Sequence, residues 1–525
     1  MFLTFFHRLI ACLLLCAAVQ AHALTPQAAR AMAAGETDER IAALQQAIAT
    51  PDDATLAFIR AMADDAVKIA GDRAITIKDG KGLDPATGAE VPVPDDAEDI
   101  VNNNRMRGEF DAALASLQLL SPDAAQRRAA IESLKEETDA ARLPLIEKAL
   151  AAEKDAGLRG RLEAIRARML LADSDAAHRL EAAQYLAGSG NPATRTVLLE
   201  QLRQEADPKV KAAIQSALAS VEGRLQWGEK LAALFSGVSL GSILLLVALG
   251  LAITYGLMGV INMAHGELMM IGAYATYVMQ GLFQKYLPGA FDWYLVAAVP
   301  AAFCASALMG AALERSVIRF LYGRPLETLL ATWGISLMLQ QLVRTVFGAQ
   351  NVGVENPAWM SGGVQLMDNL QLPWNRVIIV AFAFAVLGGV AYLIGRTRLG
   401  LFVRGVTQNR PIASCMGVNT ARVDTYAFAL GSGIAGLAGC ALSQVGNVGP
   451  DLGQGYIVDS FMVVVLGGVG QLAGTVYAAL GLGVLNKFLE GWTGAVLAKI
   501  AVLVFIIVFI QKRPQGIFAM KGREA

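Results

Sequence analysis

Long apolar stretches with few charged residues alternate with polar connections in the second part of the chain, from about residue 231 to 525. Nine apolar segments occur there, several of them short or interrupted by glycine: 237–259, 262–282, 293–313, 328–347, 376–395, 424–445, 457–470, 473–490 and 493–511. About 20 apolar residues are enough for a helix to cross the hydrocarbon core of a bilayer. The pattern predicts a polytopic membrane helix bundle of eight or nine spans, and the count depends on whether 457–470 crosses fully.

The charges in the connections predict the orientation of this bundle. Lys and Arg are concentrated in 314–325, in 396–424 and in the tail after 511, whereas 345–375 and 446–456 are nearly uncharged. Because basic loops remain in the cytoplasm, we expect the first three connections inside and the other two outside. An exported N-terminus combined with a cytoplasmic C-terminus requires an odd number of crossings, which favours nine.

Residues 24–230 show a different pattern, in which apolar residues recur every three or four positions, as at Ile41, Leu44 and Ile48. This spacing predicts amphipathic helices. The segment 74–96 interrupts the pattern with turn-forming residues and short alternating runs, which predict a hairpin-like insertion or loop. The fold class expected for the whole chain is therefore all-α, a membrane helix bundle preceded by a helical domain.

The second half of that helical domain contains an internal repeat with a shift of 52 residues. The shift superimposes residues of like type: Arg127 on Arg179, Leu134 on Leu186, Leu150 on Leu202, Glu153 on Glu205, Asp155 on Asp207 and Leu158 on Val210. Each unit is predicted as a helix, a short turn, a second helix and a turn marked by the aspartate. Such units resemble HEAT-like repeats, which stack to share a core and often bind proteins; an ordinary helical bundle is the alternative.

Residues 1–23 have the layout of a secretory signal peptide. A modest polar start is followed by an apolar core from Leu9 to Val19 and by Ala21-His22-Ala23, which has the small-x-small form of a cleavage site. A retained first anchor helix is the alternative. Cleavage after Ala23 would place the chain from Leu24 onward outside the cytoplasm.

Composition excludes several classes of function. The formal net charge of −1 gives no reason to expect a nucleic-acid partner. Two of the five cysteines fall within the signal and the other three in or beside the membrane part, so the exported domain contains none that could form a disulfide. After removal of the signal only His178 and His265 remain, which excludes a His/Cys metal site.

A transporter needs an energy source, and the sequence contains none of its own. It has no GxxxxGK[ST] phosphate-binding loop. The charges within or at the ends of the apolar segments are few and do not form the pairs that a proton or sodium relay requires: Glu267, Arg344, Asp459, Lys487, Glu490 and Lys499. We therefore expect a partner to supply the energy.

The connection 396–424 is the expected point of contact with such a partner. It carries several arginines against one acid, Asp424, and Ala413 and Gly417 lie four residues apart. A short helix there would present a face of small residues that allows close approach. The alternative is a basic loop that only fixes the orientation of the bundle.

Several collinear motifs over residues 231–520 resemble the LivH-type permeases of branched-chain amino-acid ABC importers. The most diagnostic run is INMAHGE, with Asn262, His265, Gly266 and Glu267, and the run from 397 to 439, GGVGQLAGT at 467–475 and the terminal RPQGIF follow in order. The long exported extension is not found in amino-acid permeases and resembles the urea-transporter branch of the family, the UrtB type. The resemblance implies a multi-pass protein of the bacterial inner membrane that is a transport subunit, not an enzyme, and that needs no cofactor.

The resemblance also implies partners and a coupling element. The expected partners are two ABC ATPase subunits, a second, LivM-like permease subunit and a periplasmic solute-binding protein, with urea as the solute. The alternative solutes are branched-chain amino acids or another small amide. The coupling helix would lie near 409–419, and the residues assigned to coupling are Arg404, Asn409, Arg410, Ala413, Gly417 and Asn419.

A small neutral solute needs amide, hydroxyl and carbonyl groups along its path. The polar residues of the spans that meet this requirement are Thr254, Tyr255, Asn262, Gln340, Gln341, Gln444 and Asn447. Each has interhelical hydrogen bonding as its alternative role. The glycines of the spans allow either close packing of helices or helix breaks that line a cavity, and a structural role at a helix start is expected for His265 and Glu267.

Two other classes of function remain as alternatives. An intramembrane serine protease would need Ser432 and His265 within hydrogen-bonding distance. A sensor that binds a ligand through its exported domain would need a cytoplasmic signalling domain, and none follows the spans. For the exported domain itself we expect a docking or regulatory surface for the binding protein or the second permease.

Overall fold

A computed structural model describes residues 24–49, 52–78, 80–94, 97–135, 142–259 and 261–518. The signal peptide expected at 1–23 lies outside these residues. The chain divides into two compact units, the first ending at Leu225 and the second beginning at Gln226.

The first unit begins with a helical layer packed against a small sheet. Its helices are α1 (Pro26–Ala33), α2 (Thr37–Ala49), α3 (Asp53–Ala63) and α4 (Asn104–Gln118). The strands are β1 (Val67–Ala70), β2 (Arg73–Lys78), β3 (Lys81–Leu83), β4 (Glu90–Val91) and β5 (Glu98–Asp99). They form one antiparallel sheet in the order β4-β3-β2-β1-β5. Phe58, Met106 and Phe110 belong to the core that this part encloses.

The insertion predicted at 74–96 is thus larger than expected, since it is a five-stranded sheet that begins at Val67 and ends at Asp99. The prediction of an all-α fold is wrong to that extent. The turns after β1 and β2 contain Gly71 and Gly80, whose φ angles of 58° and 78° suit glycine. Strands as short as two residues offer too few alternating positions to be recognised from the sequence.

The rest of the first unit is helical. It contains α5 (Ala124–Ser133), α6 (Leu143–Ala152), α7 (Ala156–Leu170), α8 (Ala176–Leu186), α9 (Pro192–Gln204) and the start of α10 (Pro208–Met258). The side chains of Asp123 and Asp175 cap α5 and α8, and Asp155 caps α7. An aspartate at this position accepts a backbone N–H that has no partner within the helix. These caps explain the aspartates that recur in the sequence.

The 52-residue repeat corresponds to a repeated contact. Arg127 donates from Nε to Oε2 of Glu153, and Arg179 donates from Nε to Oε2 of Glu205, both over 2.8 Å. In both places the Nη1 group of the arginine also binds the carbonyl oxygens of the turn before its own helix. Among the described residues, each period contains three helices where two were expected: α5 to α7 in the first, and α8, α9 and the start of α10 in the second. The HEAT-like assignment stays a prediction.

The second unit consists of helices and one hairpin. After α10 come α11 (His265–Tyr286), α12 (Tyr294–Ser316), α13 (Pro325–Phe347), α14 (Trp374–Arg396), α15 (Arg398–Gln408), α16 (Arg410–Cys415), α17 (Thr420–Ser443), α18 (Leu452–Gly467), α19 (Leu472–Thr493) and α20 (Ala495–Lys512). Strands β6 (Gly363–Met367) and β7 (Leu370–Pro373) form an antiparallel hairpin in the segment 345–375. This hairpin is a second exception to the expected all-α class.

Six of the described helices are long and apolar enough to cross a membrane: α10, a stretch that includes α12, and α14, α17, α19 and α20. Three of the segments predicted as spans, 262–282, 328–347 and 457–470, fall on α11, α13 and α18, which are not among the six. Helix α18 has only 16 residues. The expected count of eight or nine crossings therefore stays a prediction.

The centre of the second unit is formed by α11, α12 and α17, which pack very closely. A Cβ atom added at Gly272 would collide with the backbone of Gly436, and one at Gly439 would collide with the backbone of Met269. The glycines of α17 therefore serve close packing of helix backbones.

Candidate functional site

Helix α11 begins inside the bundle. The His265 ring lies beside Gly250, near the middle of the apolar segment 237–259. The same glycine packs against the backbone oxygen of Gly431, in the middle of α17, and a Cβ atom at Gly250 would collide with that oxygen. His265 Nε2 is 3.2 Å from the carbonyl oxygen of Val247. The helix of the predicted span 262–282 thus starts at His265, at the level of the centres of two other helices.

A second helix, α18, begins at the same place. Gly453, in its first turn, packs directly on the backbone of Gly266, in the first turn of α11. Only glycines allow two backbones to approach this closely. The first backbone N–H groups of a helix lack intrahelical partners and carry partial positive charge. Two such helix starts meet here, and Asp451, which precedes α18, is exposed.

Glu267, in the first turn of α11, is the buried acid at this crossing. Its side chain is 1% exposed. Oε1 accepts hydrogen bonds from Ser336 Oγ over 2.9 Å and from Gln340 Nε2 over 2.7 Å. Oε2 has no hydrogen-bond partner among the described residues. The structural role expected from the sequence is therefore only part of what Glu267 does, because half of the carboxyl group is satisfied and half is available.

Helix α13 faces α11 with a row of polar side chains, which we call the α13 polar row. Its members lie four residues apart and are all buried: Thr328, Thr332, Ser336 and Gln340. Thr332 Oγ1 accepts the backbone N–H of Met263 over 3.2 Å, in the non-helical segment before α11. Residues four apart lie on one face of a helix, so the row follows α11 from the segment before its first turn to Glu267.

Tyr274 lies two turns beyond Glu267 on the same face of α11. It is 2% exposed, and its hydroxyl group has no hydrogen-bond partner among the described residues. Its ring centroid is 4.7 Å from that of Phe347. The side chains around it are apolar: Met270, Leu339, Val343 and Val448. The interface between α11 and α13 therefore has a polar part at Glu267 and an apolar part at Tyr274.

The residues predicted to line the path do not form one site. Asn262 and Gln340 lie at the α11–α13 interface, where Asn262 Oδ1 accepts the N–H of Ala264 over 3.0 Å and its amide nitrogen has no partner among the described residues. Gln444, at the end of α17, accepts a hydrogen bond from Tyr294 over 3.2 Å.

The other predicted path residues have local roles or are exposed. Thr254 is buried and bonds back to carbonyls of its own helix, and Tyr255 packs against Phe461. Gln341 and Asn447 are exposed. Sequence reasoning missed Tyr274, Thr332 and Ser336. The four-residue spacing of polar positions along α13 is the signal that would have found the latter two.

The structure does not support a serine protease site. His265 Nε2 faces the Val247 carbonyl, and neither His265 Nδ1 nor Ser432 Oγ has a hydrogen-bond partner within the described part of the chain. The two side chains therefore do not form the hydrogen bond that an activated serine requires.

The connection 396–424 contains two short helices, α15 and α16. Asn409 caps α16 by accepting the N–H of Ile412, and Asn419 caps α17 by accepting the N–H of Arg422. Arg404 donates to the carbonyl oxygen of Ile394 over 2.7 Å. Three of the residues assigned to coupling thus hold the connection in shape.

The prediction of a small-residue face at Ala413 and Gly417 is wrong. Ala413 is buried against Val403 and Val423. Gly417 lies beyond the end of α16 with a φ angle of 85°, so it turns the chain after the helix. The exposed side chains of this connection include four large apolar ones, Leu401, Phe402, Ile412 and Met416. Exposed arginines lie beside them, at Arg398, Arg404 and Arg422.

The connection is tied to the bundle by a group of polar contacts. Arg410 pairs with Asp424 and lies 5.2 Å from the ring centroid of Tyr322. The hydroxyl group of Tyr322 donates to Glu314 over 3.0 Å, and Thr425 donates to the other oxygen of Glu314 over 2.7 Å. These contacts join α16 to the ends of α12 and α17.

Comparison with known proteins identifies the second unit. A family model described as "Branched-chain amino acid transport system / permease component" matches residues 233–511. Permease protein LivH of Escherichia coli is 30% identical over 294 residues, which cover 54% of this chain and 94% of LivH. Permease protein BraD of Pseudomonas aeruginosa is 28% identical over 290 residues, with the same coverage. Ribose import permease RbsC of Escherichia coli is 28% identical over 205 residues, 37% of this chain and 60% of RbsC. No solved structure matches.

These relatives confirm the prediction that the chain is a transport component and not an enzyme. Together with the six apolar helices they support a multi-pass protein of the inner membrane. The names of LivH and BraD specify branched-chain amino acids and do not mention urea, so they favour the alternative solute over the one expected first. The chain belongs to the family of permease components of branched-chain amino acid transport systems.

Proposed function

We propose that this chain is the permease subunit of an ATP-driven importer that moves a branched-chain amino acid, or another small amide-type solute, into the cell. The observation that carries the proposal is the family match over residues 233–511, together with relatives that are nearly covered from end to end. The proposed partners are two ABC ATPase subunits, a second permease subunit of the LivM type and a periplasmic solute-binding protein.

The crossing of α11 and α18 supports an amino acid as the solute. Two helix N-termini meet there, and the partial positive charge of a helix N-terminus suits a carboxylate. Glu267 and Asp451 lie beside them and offer carboxyl oxygens to an ammonium group. A zwitterion needs both kinds of partner. The helix N-termini and the two carboxyl groups at the crossing are therefore the kinds of group that would bind an amino acid.

The connection 396–424 supports an external source of energy. The sequence has no phosphate-binding loop. In the proposed mechanism the ATPases contact the exposed apolar side chains of Leu401, Phe402, Ile412 and Met416. The pair of Arg410 with Asp424, and the contacts of Glu314 with Tyr322 and Thr425, then transmit the movement to α12 and α17.

Urea is the second candidate solute, and one observation favours it. The family match starts at residue 233, so the folded unit that ends at Leu225 lies outside it. An exported domain of this kind resembles the urea branch of the family. We propose that it lies in the periplasm, with the C-terminus of the chain in the cytoplasm, and that it docks the solute-binding protein or the second permease.

Uptake by cells that lack this gene tests the proposal. We expect uptake of labelled leucine to fall to background and to return when the gene is restored, while uptake of labelled urea is followed in the same cells. Loss of urea uptake alone would select the second candidate. Unchanged uptake of both solutes, in a strain without a paralogue, would contradict the proposed function.

A deletion of residues 25–225 tests the docking role. We expect the affinity of the membrane complex for its solute-binding protein to fall, as measured by binding of the purified protein to reconstituted complexes. Unchanged affinity would contradict docking of the binding protein by this domain.

A further inference from the structure

We infer that the α11–α13 interface binds an N–H donor group of the solute, with Glu267 Oε2 and the hydroxyl group of Tyr274 as its two polar contacts. This inference rests on the proposed function and specifies which part of the solute is recognised. The donor is an ammonium group if the solute is an amino acid and an amide N–H if it is urea.

The first argument is the energetic cost of burying two polar atoms that lack hydrogen-bond partners. Glu267 Oε2 and Tyr274 Oη are both buried and have no hydrogen-bond partner in the described part of the chain. A buried polar atom left without a partner destabilises the fold, and more so if it is charged. Phe at 274 and Gln at 267 would avoid part of this cost. Each of these two atoms, on one face of α11, would recover this cost by accepting a hydrogen bond from the solute.

The second argument is the chemistry of the surrounding side chains. Glu267 can only accept when it is ionised, and a tyrosine hydroxyl can accept as well as donate. Ser336 and Gln340 already satisfy the other oxygen of Glu267 and fix its orientation. The available oxygen thus needs a donor from outside the chain.

The third argument is the charge nearby. Asp451 immediately precedes α18, whose first turn packs on the first turn of α11, where Glu267 lies. A second carboxyl group at this crossing favours a donor with positive charge or several N–H groups.

The fourth argument is how α13 is held. Its buried residues lie on the face toward α11, whereas Leu330, Trp333 and Met338 on other faces are exposed. Two residues of α13, Ser336 and Gln340, donate hydrogen bonds to Glu267 of α11. These bonds, the bond of Thr332 to Met263 and the apolar contacts around Tyr274 hold α13 against α11, so the two atoms without partners lie in a fixed interface.

The test uses the complete transport complex in proteoliposomes, with labelled leucine and labelled urea supplied in separate experiments. Two variants remove the proposed acceptors with little change in size: Tyr274→Phe deletes the hydroxyl group, and Glu267→Gln replaces the available carboxylate oxygen with an amide donor. Ser239→Ala is the matched control, because Ser239 is another buried hydroxyl without a partner among the described residues, located in the second half of α10. Thermal stability of each solubilised variant is measured in parallel.

We expect Tyr274→Phe and Glu267→Gln to raise the KM for the transported solute by about tenfold, the loss of one to two hydrogen bonds. Their stability should be unchanged or higher, and Ser239→Ala should behave as wild type in transport. An effect on leucine identifies an ammonium donor, and an effect on urea an amide donor. Wild-type KM values in both variants would overturn the inference, as would losses of transport that only follow losses of stability. A wild-type complex that carries neither solute would instead overturn the proposed function.

Discussion

Replacing Glu205 by Gln should destabilise the first unit strongly, because it removes the charge of a buried and doubly hydrogen-bonded partner. The Glu205 side chain is 1% exposed and receives Nε and Nη2 of Arg179 over 2.8 and 2.9 Å. It also accepts the backbone N–H of Asp207 over 3.0 Å, which holds the turn before α10. A glutamine keeps the size but turns one of its two acceptors into a donor that faces the arginine.

The magnitude follows from the cost of leaving a buried charge without its partner, about 3–5 kcal/mol. Glu205→Gln should fall at the lower end, about 3 kcal/mol, because Arg179 keeps the carbonyl oxygens of Asp173 and Ser174. For a domain of roughly 200 residues this corresponds to a fall in Tm of about 6–12 °C.

The dependence on pH gives a second measure. The hydrogen bonds from Arg179 lower the pKa of Glu205 to about 2, below the value near 4.3 of an unfolded chain. A group whose folded pKa is depressed contributes stability above its unfolded pKa and loses it as the pH falls through its folded pKa. The wild-type domain should therefore lose its advantage over Glu205→Gln between about pH 4.3 and pH 2.

Thermal unfolding of residues 24–225, followed by circular dichroism over this pH range, measures both effects. Limited proteolysis of the solubilised full chain gives an independent readout. Glu200→Gln is the control, because Glu200 is an exposed residue of α9, the helix that ends just before Glu205. It should change the Tm little. Glu153→Gln should act in the same direction as Glu205→Gln, since Arg127 also lowers the pKa of Glu153. A fall in Tm below about 2 °C, or a difference that persists to pH 2, would refute this account.

Three further changes test the second unit. Gly453→Ala should reduce uptake and the yield of folded protein through overpacking against Gly266, at a cost of about 1–3 kcal/mol, whereas Gly455→Ala, which meets nothing within 4 Å, should not. Asp424→Asn should lower solute-stimulated ATPase activity more than basal activity, because Arg410 loses its partner; equal loss of both would count against a role in coupling. Ser432→Ala should leave uptake unchanged, and abolished uptake would reopen the serine-based alternative.

Local rules allowed much of the fold to be predicted. Most apolar segments fall on long helices, and the repeat aspartates Asp155 and Asp207 cap α7 and α10, because capping involves only neighbouring residues. The sheet at 67–99 was underestimated, since its strands are paired by contacts between short segments that carry little pattern of their own. The small-residue face predicted at Ala413 and Gly417 does not form, because α16 ends at Cys415, before the glycine.

The sequence by itself determined the division into two parts and the family, and it predicted an outside energy source. Those properties depend on composition, on the absence of a motif and on collinear runs of residues. Only the tertiary structure decided that α11 and α18 both begin inside the bundle and cross at Gly266 and Gly453. Only it placed Glu267 against Ser336 and Gln340 and left one oxygen available. Residues some 70 positions apart meet there because helix packing, which depends on the shapes of whole faces, brings α13 alongside α11.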